Sequence, residues 1–314
     1  MALGNFDGVH QGHQTILKNC ITTAAKKEWM AAVYTFDPHP AKILSPKTMP
    51  PLIQTLDQKL ACLEKTGVEA VIVEKFDPAF SKLTPKQFLD EILLRRLHTK
   101  GIWVGYDFTF GVKRSGNIET LKTFCKKEGL HLHVTGAQFE KETLVSSTQI
   151  RQLIGRGQVD LAAEFLGRPF TLIGEVVRGE GIGGEMGIHT ANLKVENELL
   201  PRIGIYATRS TIHACPPVVW RAPRLSAGSL AGSTKEWPSA TSVGFNPTFP
   251  GKGFSVETHL IGFEGNLVGQ RIEVAFLKWL RNELTFPNAE TLAVQIQKDI
   301  SEALKINETL RHHR

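Results

Sequence analysis

The periodicity of the chain changes once, at Gly167-Arg168-Pro169, and that switch constrains the fold more than any other feature of the sequence. Ahead of it, short apolar runs alternate with amphipathic segments. The runs Ala32–Phe36, Ala70–Val73, Gly101–Val104 and Leu130–Val134 have the length and residue types of buried strands. The segments Gln11–Lys27, Thr55–Lys65, Thr84–Leu97 and Asn117–Glu128 carry apolar residues at helical spacing, as Ile16, Leu17, Cys20, Ile21 and Ala24 do. Strand and helix alternating at this pitch build a parallel sheet with helices on both faces. Two short helices, near Ser147–Ile154 and Asp160–Leu166, close this half.

Beyond the switch the pattern is of β type. The runs Thr171–Val177, Ile203–His213, Phe254–Phe263 and Arg271–Leu280 are broken by Gly and Pro, and the one long amphipathic segment is Asn288–Lys305. Short strands with frequent turn signals predict a small barrel or sandwich. The stretch Ala222–Ala240, rich in Pro, Ala, Gly and Ser, is expected to be a loop. The expected class is therefore α/β plus all-β, with domains at 1–167 and 168–314, a division that suits 314 residues.

Composition removes several classes of function. Apolar residues make up 41% and charged residues 22%, so neither wholesale disorder nor a fibrous repeat fits. The longest apolar stretches, such as Trp29–Phe36, fall far short of the ~20 residues of a membrane-spanning helix. The opening MALGNFDGVH has no basic, apolar or cleavage region of an export signal, and a cytoplasmic location is the expectation. Cys20, Cys62, Cys125 and Cys215 form no CxxC pair and read as reduced packing residues. The net charge of +6 resides mostly in the first half. It suits phosphate-bearing small molecules, and without a Lys/Arg run or interleaved aromatics no nucleic-acid partner is expected.

The segment Gly4-Asn5-Phe6-Asp7-Gly8-Val9-His10-Gln11-Gly12-His13 is where chemistry concentrates. A strand end feeds a glycine-rich turn and then a helix, whose free N–H groups form an anion site. His10 and His13 flank it, and Gly12 lets a ligand approach the backbone. Donors so placed suit a phosphorus centre that gains negative charge as it is attacked. An isolated H-x-x-H is more often a pair of surface or capping histidines, and as a zinc pair it lacks a third ligand. Far along the chain, Ser146-Ser147-Thr148-Gln149-Ile150-Arg151 again sets small hydroxyls and an arginine at a helix start, a grip for phosphates or an ordinary N-cap. Two glycine-rich segments are decoys. Gly179–Gly184 satisfies G-x-G-x-x-G but precedes no convincing helix and reads as a phosphate-facing flap. Asn246–Lys252 starts with Asn, and Gly253 stands where a P-loop needs Ser or Thr.

The two motif segments together resemble the nucleotide-binding pair of the H-x-G-H nucleotidyltransferase superfamily. With Tyr34-Thr35-Phe36-Asp37-Pro38-His39-Pro40 and Gly105-Tyr106-Asp107-Phe108-Thr109-Phe110-Gly111 between them, the first half is similar to the adenylyltransferase part of the bacterial bifunctional FAD synthetases, the riboflavin kinase/FMN adenylyltransferases. In the second half, Gly187-Ile188-His189-Thr190-Ala191-Asn192-Leu193, Pro201–Ala207, Val243–Phe249 and Val256-Glu257-Thr258-His259-Leu260 resemble the riboflavin kinase module in order. The resemblance implies a Rossmann-like domain followed by a small closed antiparallel β-barrel with a C-terminal helix. It implies ATP, riboflavin, FMN and FAD as substrates and products, and Mg²⁺ as cofactor. Carried over position by position, Gly4, Asn5, Phe6, Asp7, Gly12, Ser147, Thr148 and Arg151 would bind the nucleotide, with His10 and His13 catalytic. Pro38, Pro40, Asp107, Phe110 and Arg281 would hold the flavin, Thr190 and Asn192 the metal, and Glu257 would be the base on the ribityl hydroxyl. A monomer or weak homo-oligomer is expected.

Some positions depart from the family. His189 replaces a proline that would fix φ ahead of Thr190, Ile182 and Gly184 stand where basic residues are common, and Asn266-Leu267-Val268-Gly269 replaces D-L-Y-G. Only three residues precede Gly4, which predicts a short central strand or a misassigned start. His189 and the altered flap keep open a monofunctional FMN adenylyltransferase with a degenerate barrel, and a non-catalytic flavin-binding protein is a third reading, against which His10, His13, Arg151 and Glu257 argue.

Overall fold

The computed structural model describes residues 1–178, 190–213, 235–245 and 254–312. It divides into two compact units, Met1–Gln149 and Ile150–Arg314. His189, the Gly179–Gly184 flap, Cys215 and the Asn246–Lys252 segment lie outside the described residues.

In the first unit the apolar runs pair as parallel strands: β1 (Ala2–Leu3), β2 (Ala32–Asp37), β3 (Ala70–Lys75), β4 (Gly101–Gly105) and β5 (His131–Thr135), in the order β3-β2-β1-β4-β5. β1 is short, as expected, and still lies at the centre, because Ala2 and Leu3 are flanked by Val33 and Tyr34 on one side and Trp103 on the other. Helices α1 (Gln11–Lys26), α2 (Pro40–Leu44), α3 (Leu56–Glu64) and α4 (Ile118–Glu128) surround the sheet. Two apolar clusters form the core. Ala2, Phe6, Val9, Leu17, Val33 and Trp103 belong to one, and Leu3, Tyr34, Phe88, Leu93, Ile102 and Leu121 to the other. One segment departs from its expected form. Thr84–Leu97, read as an α-helix, has one α-helical turn at Pro85–Gln87, capped by Thr84, and then runs as a π-helix over Phe88–Arg96. The wider turn brings Phe88 and Leu93, five residues apart, to the same buried face together with Leu89.

A hairpin of β6 (Phe139–Glu140) and β7 (Thr143–Leu144) leads to α5 (Ser147–Gly155), which spans the division, and α6 (Val159–Leu166) follows. The second unit is a closed antiparallel barrel of β8 (Phe170–Val177), β9 (Ala191–Val195), β10 (Gly204–His213), β11 (Glu236–Gly244), β12 (Ser255–Leu260) and β13 (Arg271–Arg281), in the order β10-β11-β12-β9-β8-β13. Its interior combines Phe170, Tyr206 and Phe276 with a buried hydroxyl ladder. In that ladder Thr208 meets Ser239 at 3.0 Å and Thr241 at 2.7 Å, and Thr241 donates to Thr258 at 2.8 Å. Every hydroxyl in it has a partner, as burial demands. The expected barrel is present, while of the loop expected over Ala222–Ala240 residues 222–234 lie outside the described residues and the rest, from Glu236, is not a loop. Glu236–Ala240 are the first half of β11, paired with Ser239 opposite Thr208 and Ala240 opposite Ala207. The C-terminal helix α7 (Ala289–His312) outruns its expected end at Lys305.

Candidate active sites

The turn after β1 is strained where the motif sits. Phe6 (φ 50°), Gly8 (φ 88°) and Val9 (φ 38°) all occupy the left-handed region. Glycine does so freely, whereas a phenylalanine or a β-branched valine pays about 1–3 kcal/mol. The Phe6 and Val9 side chains are 0% and 1% exposed, so the core holds them in that conformation. The turn thereby delivers His10 as the N-cap of α1. His10 Nδ1 accepts the His13 N–H at 3.4 Å, and the Gln14 side chain donates to the Val9 carbonyl at 2.9 Å. The two imidazoles stack, with centroids 3.6 Å apart and planes 20° from parallel, and Phe6 meets His13 edge-on. A Cβ on Gly12 would lie 3.2 Å from His10 Cε1 and Nδ1, so this glycine makes room for the imidazole itself.

Asp7 joins the distant motif to this turn. The Ser147 hydroxyl, 140 residues away, donates to the Asp7 carbonyl at 2.9 Å, while the buried Asp7 carboxylate accepts the Ile53 N–H at 3.1 and 3.3 Å. Gly4 N–H donates to the Tyr34 carbonyl at 3.2 Å, and Asn5 is exposed beyond it. Thr148 is exposed, and Arg151, half-buried, lies four residues after Ser147 on the same face of α5.

The residues expected to hold the flavin leave the sheet at its carboxyl edge, the edge at which open α/β sheets bind ligands. Pro38 and Pro40 follow β2, with His39 capping α2 by accepting the Ala41 N–H at 3.2 Å. Asp107 and Tyr106 are exposed just beyond β4. Phe108 is half-buried and stacks on Phe110 at 5.7 Å, whereas Phe110 is 8% exposed and packs against Phe88. Phe108 thus presents the accessible ring and Phe110 backs it.

Lys59, on α3, belongs to neither sequence motif yet reaches the same sheet edge. It is 8% exposed, and its ammonium donates to Thr35 Oγ1 at 3.3 Å, the Phe36 carbonyl at 3.1 Å and the Asn5 carbonyl at 3.5 Å. Burial holds its pKa below the ordinary lysine range, and the nearby Asp7 and Asp37 carboxylates partly restore it. The signal was present in the spacing. Leu56, Lys59, Leu60 and Leu63 form one helical stripe, and a lysine within an apolar stripe is buried with a purpose or displaces its helix.

In the second unit, Glu257 on β12 lies opposite Asn192 on β9. Strand alternation turns both away from the buried Thr258 and Ala191, to the outside of the barrel. Thr190 Oγ1 donates to Glu257 Oε2 at 3.5 Å, and the Ser255 hydroxyl donates to Glu257 Oε1 at 3.2 Å. Thr190, Asn192 and Glu257 are therefore brought together, and Ser255 is an addition to them. Arg281 is held elsewhere. Its guanidinium grips Asp299 of α7 at 3.0, 3.1 and 2.6 Å, with the Phe286 ring 5.9 Å away.

Comparison with known proteins matches each unit. Residues 1–149 match the FAD synthetase family and residues 166–307 the riboflavin kinase family. The bifunctional riboflavin kinase/FMN adenylyltransferase of Haemophilus influenzae is 33% identical over 303 residues, covering 96% of this chain and 92% of that protein. Those of Listeria monocytogenes and Escherichia coli are 32% and 30% identical, each match covering 95% of this chain and 89% and 90% of the respective relative. A crystal structure from Streptococcus pneumoniae, titled a macrolide-efflux protein, superposes with a TM-score of 0.80 at 26% identity, covering 95% of this chain and 91% of that one. Among the described residues no helix is long and apolar enough to cross a membrane. By both halves and by whole-length relatives, the chain belongs to the bifunctional riboflavin kinase/FMN adenylyltransferase family.

Proposed function

We infer that the chain makes FAD from riboflavin in two ATP-dependent steps, with phosphorylation in the region 168–314 and adenylylation in the region 1–167. The observation that carries this is the Ser147 to Asp7 hydrogen bond, which unites the two halves of a nucleotide-binding motif across most of the first unit. Full-length relatives of both activities favour the bifunctional reading over a monofunctional or non-catalytic one.

In the barrel, Glu257 takes the proton from the riboflavin 5′-hydroxyl as its oxygen attacks the γ-phosphate of ATP, giving FMN and ADP. Ser255 and Thr190, donating to its two oxygens, fix the carboxylate. Thr190 and Asn192 offer neutral oxygens beside that single carboxylate, a donor set that fits Mg²⁺, which binds few protein ligands and shares the rest with phosphates. Bound there, Mg²⁺ would neutralise phosphate charge. In the region 1–167, an FMN phosphate oxygen attacks the α-phosphate of ATP and pyrophosphate leaves. The α1 N-terminus, His10, His13, Ser147, Thr148 and Arg151 stabilise the charge of the pentavalent centre, with Gly4, Asn5, Phe6 and Gly12 shaping the turn. Pro38, Pro40, Asp107 and the Phe108–Phe110 pair flank the isoalloxazine ring. Arg281, held by Asp299, would meet flavin only at the rim of the barrel. We place the enzyme among proteins acting on small molecules as a monomer or weak homo-oligomer.

Incubation of the purified protein with ATP and Mg²⁺, with riboflavin and FMN supplied in turn, tests the reading. Chromatography is expected to show FMN and FAD from riboflavin, and FAD from FMN. FAD from FMN alone would move the reading to the monofunctional enzyme, and no product from either would overturn it.

A further inference from the structure

Both substrates of adenylyl transfer are held by segments that leave the same sheet edge, and one buried group ties those segments together. Asn5 belongs to the nucleotide turn after β1, and Phe36 precedes the flavin-flanking Pro38 and Pro40 at the end of β2. The Lys59 ammonium donates to the carbonyls of both, at 3.5 and 3.1 Å. It also donates to Thr35 Oγ1 at 3.3 Å, and that hydroxyl in turn donates to the Asn5 carbonyl at 3.1 Å. Thr35 is 0% exposed and Lys59 is 8% exposed, so water does not compete for these bonds.

A structural lysine would be a costly choice here. The same three carbonyl and hydroxyl acceptors could be satisfied by a neutral donor, without the desolvation of an ammonium. A positive charge is useful because of what surrounds it: Asp7 and Asp37 are the carboxylates that act on it electrostatically. Both belong to the segments that receive ATP and FMN, and their negative charge would oppose phosphates. A cation between them offsets that opposition while its hydrogen bonds fix the spacing of the two segments.

We propose that Lys59 is a positioning residue for adenylyl transfer, setting the nucleotide turn against the flavin strand end and balancing the carboxylates beside them. The proposal rests on the FMN adenylyltransferase reading of the first unit. The full-length chain supplies its own control, since FMN formation from riboflavin belongs to the other unit. In Lys59→Met, FMN formation is expected within twofold of wild type, while FAD formation from FMN loses at least tenfold in kcat and the KM for FMN rises at least fivefold. A fall in the folded fraction lowers apparent kcat but leaves KM unmoved, so the KM shift separates positioning from stability. Thr35→Val keeps the charge and shape but cuts the bridge to Asn5. It is expected to lose threefold to tenfold in kcat per folded molecule, counted by circular dichroism, with KM for FMN unchanged. A folded Lys59→Met with wild-type KM for both FMN and ATP overturns the proposal. If Lys59→Met does not fold, a Thr35→Val protein with wild-type kcat per folded molecule overturns it. Wild-type protein that makes no FAD from FMN would instead sink the functional reading beneath it.

Discussion

Gly12 shows how little room separates sequence motif from site geometry. An added Cβ at 3.2 Å from two atoms of the His10 ring forces that ring to move by a few tenths of an ångström, and His10 is already stacked on His13 at 3.6 Å. Because a displacement on that scale degrades alignment more than it degrades folding, Gly12→Ala is expected to lower FAD formation from FMN about tenfold to a hundredfold with riboflavin phosphorylation unchanged. Both rates can be read from one chromatographic assay. The barrel has its counterpart in Ser255, whose hydroxyl orients one oxygen of Glu257. In Ser255→Ala the carboxylate keeps its charge and its contact with Thr190 but gains rotational freedom. Steady-state kinetics with riboflavin should show kcat lowered about threefold to tenfold, with FAD formation from FMN intact.

Helix α7 is anchored by two polar residues that the amphipathic pattern of Asn288–Lys305 does not reveal. Asn307, 1% exposed, accepts from Arg209 Nε at 3.0 Å and donates to the Thr208 carbonyl at 2.9 Å, and Asp299 holds Arg281. Hydrogen bonds to a buried guanidinium are among the stronger ones, so Asn307→Ala is expected to cost about 2–4 kcal/mol. Urea unfolding followed by loss of riboflavin kinase activity would show the lower midpoint, while FAD formation from FMN persists. The elements themselves were legible wherever one period ruled. α1 carries Ile16, Leu17, Cys20 and Ala24 on one stripe and formed as read. Neither β9 nor β11 is among the β-runs that the sequence shows, and the first half of β11 is hidden because Pro238 and Ser239 are turn residues by composition. In the barrel the Ser239 hydroxyl faces Thr208 and Ser210, and the Pro238 carbonyl accepts the Ile261 N–H at 2.8 Å. Tertiary partners made a strand of residues that local propensity assigns to a loop. The π-helix was equally hidden, since helical spacing does not distinguish 3.6 from 4.4 residues per turn over so short a segment.

At the scale of the whole chain, the order of the motifs was readable but their assembly was not. Nothing in the spacing of Asp7 and Ser147 says that one bonds to the other, and the burial of Lys59 depends on loops that sequence alone does not position. The order of the motifs sets two groups apart along the chain, and the fold gives a parallel sheet and then a closed barrel, with the boundary between the compact units falling inside α5, between Thr148 and Arg151. Independence of the two proposed sites would have a measurable consequence. His13→Ala removes a donor from the proposed adenylyl-transfer centre and is expected to lower FAD formation at least a hundredfold while FMN accumulates from riboflavin. Glu257→Gln removes the proposed base and is expected to lower riboflavin phosphorylation at least a hundredfold while FAD still forms from supplied FMN. Mixing the two variants with riboflavin, ATP and Mg²⁺ should then restore FAD, because FMN made by one chain can be consumed by another. The product should appear after a lag that shortens as the share of His13→Ala protein, the source of FMN, is raised. A Glu257→Gln protein that forms no FAD from supplied FMN, or a His13→Ala protein that accumulates no FMN, would show that the two sites do not work independently.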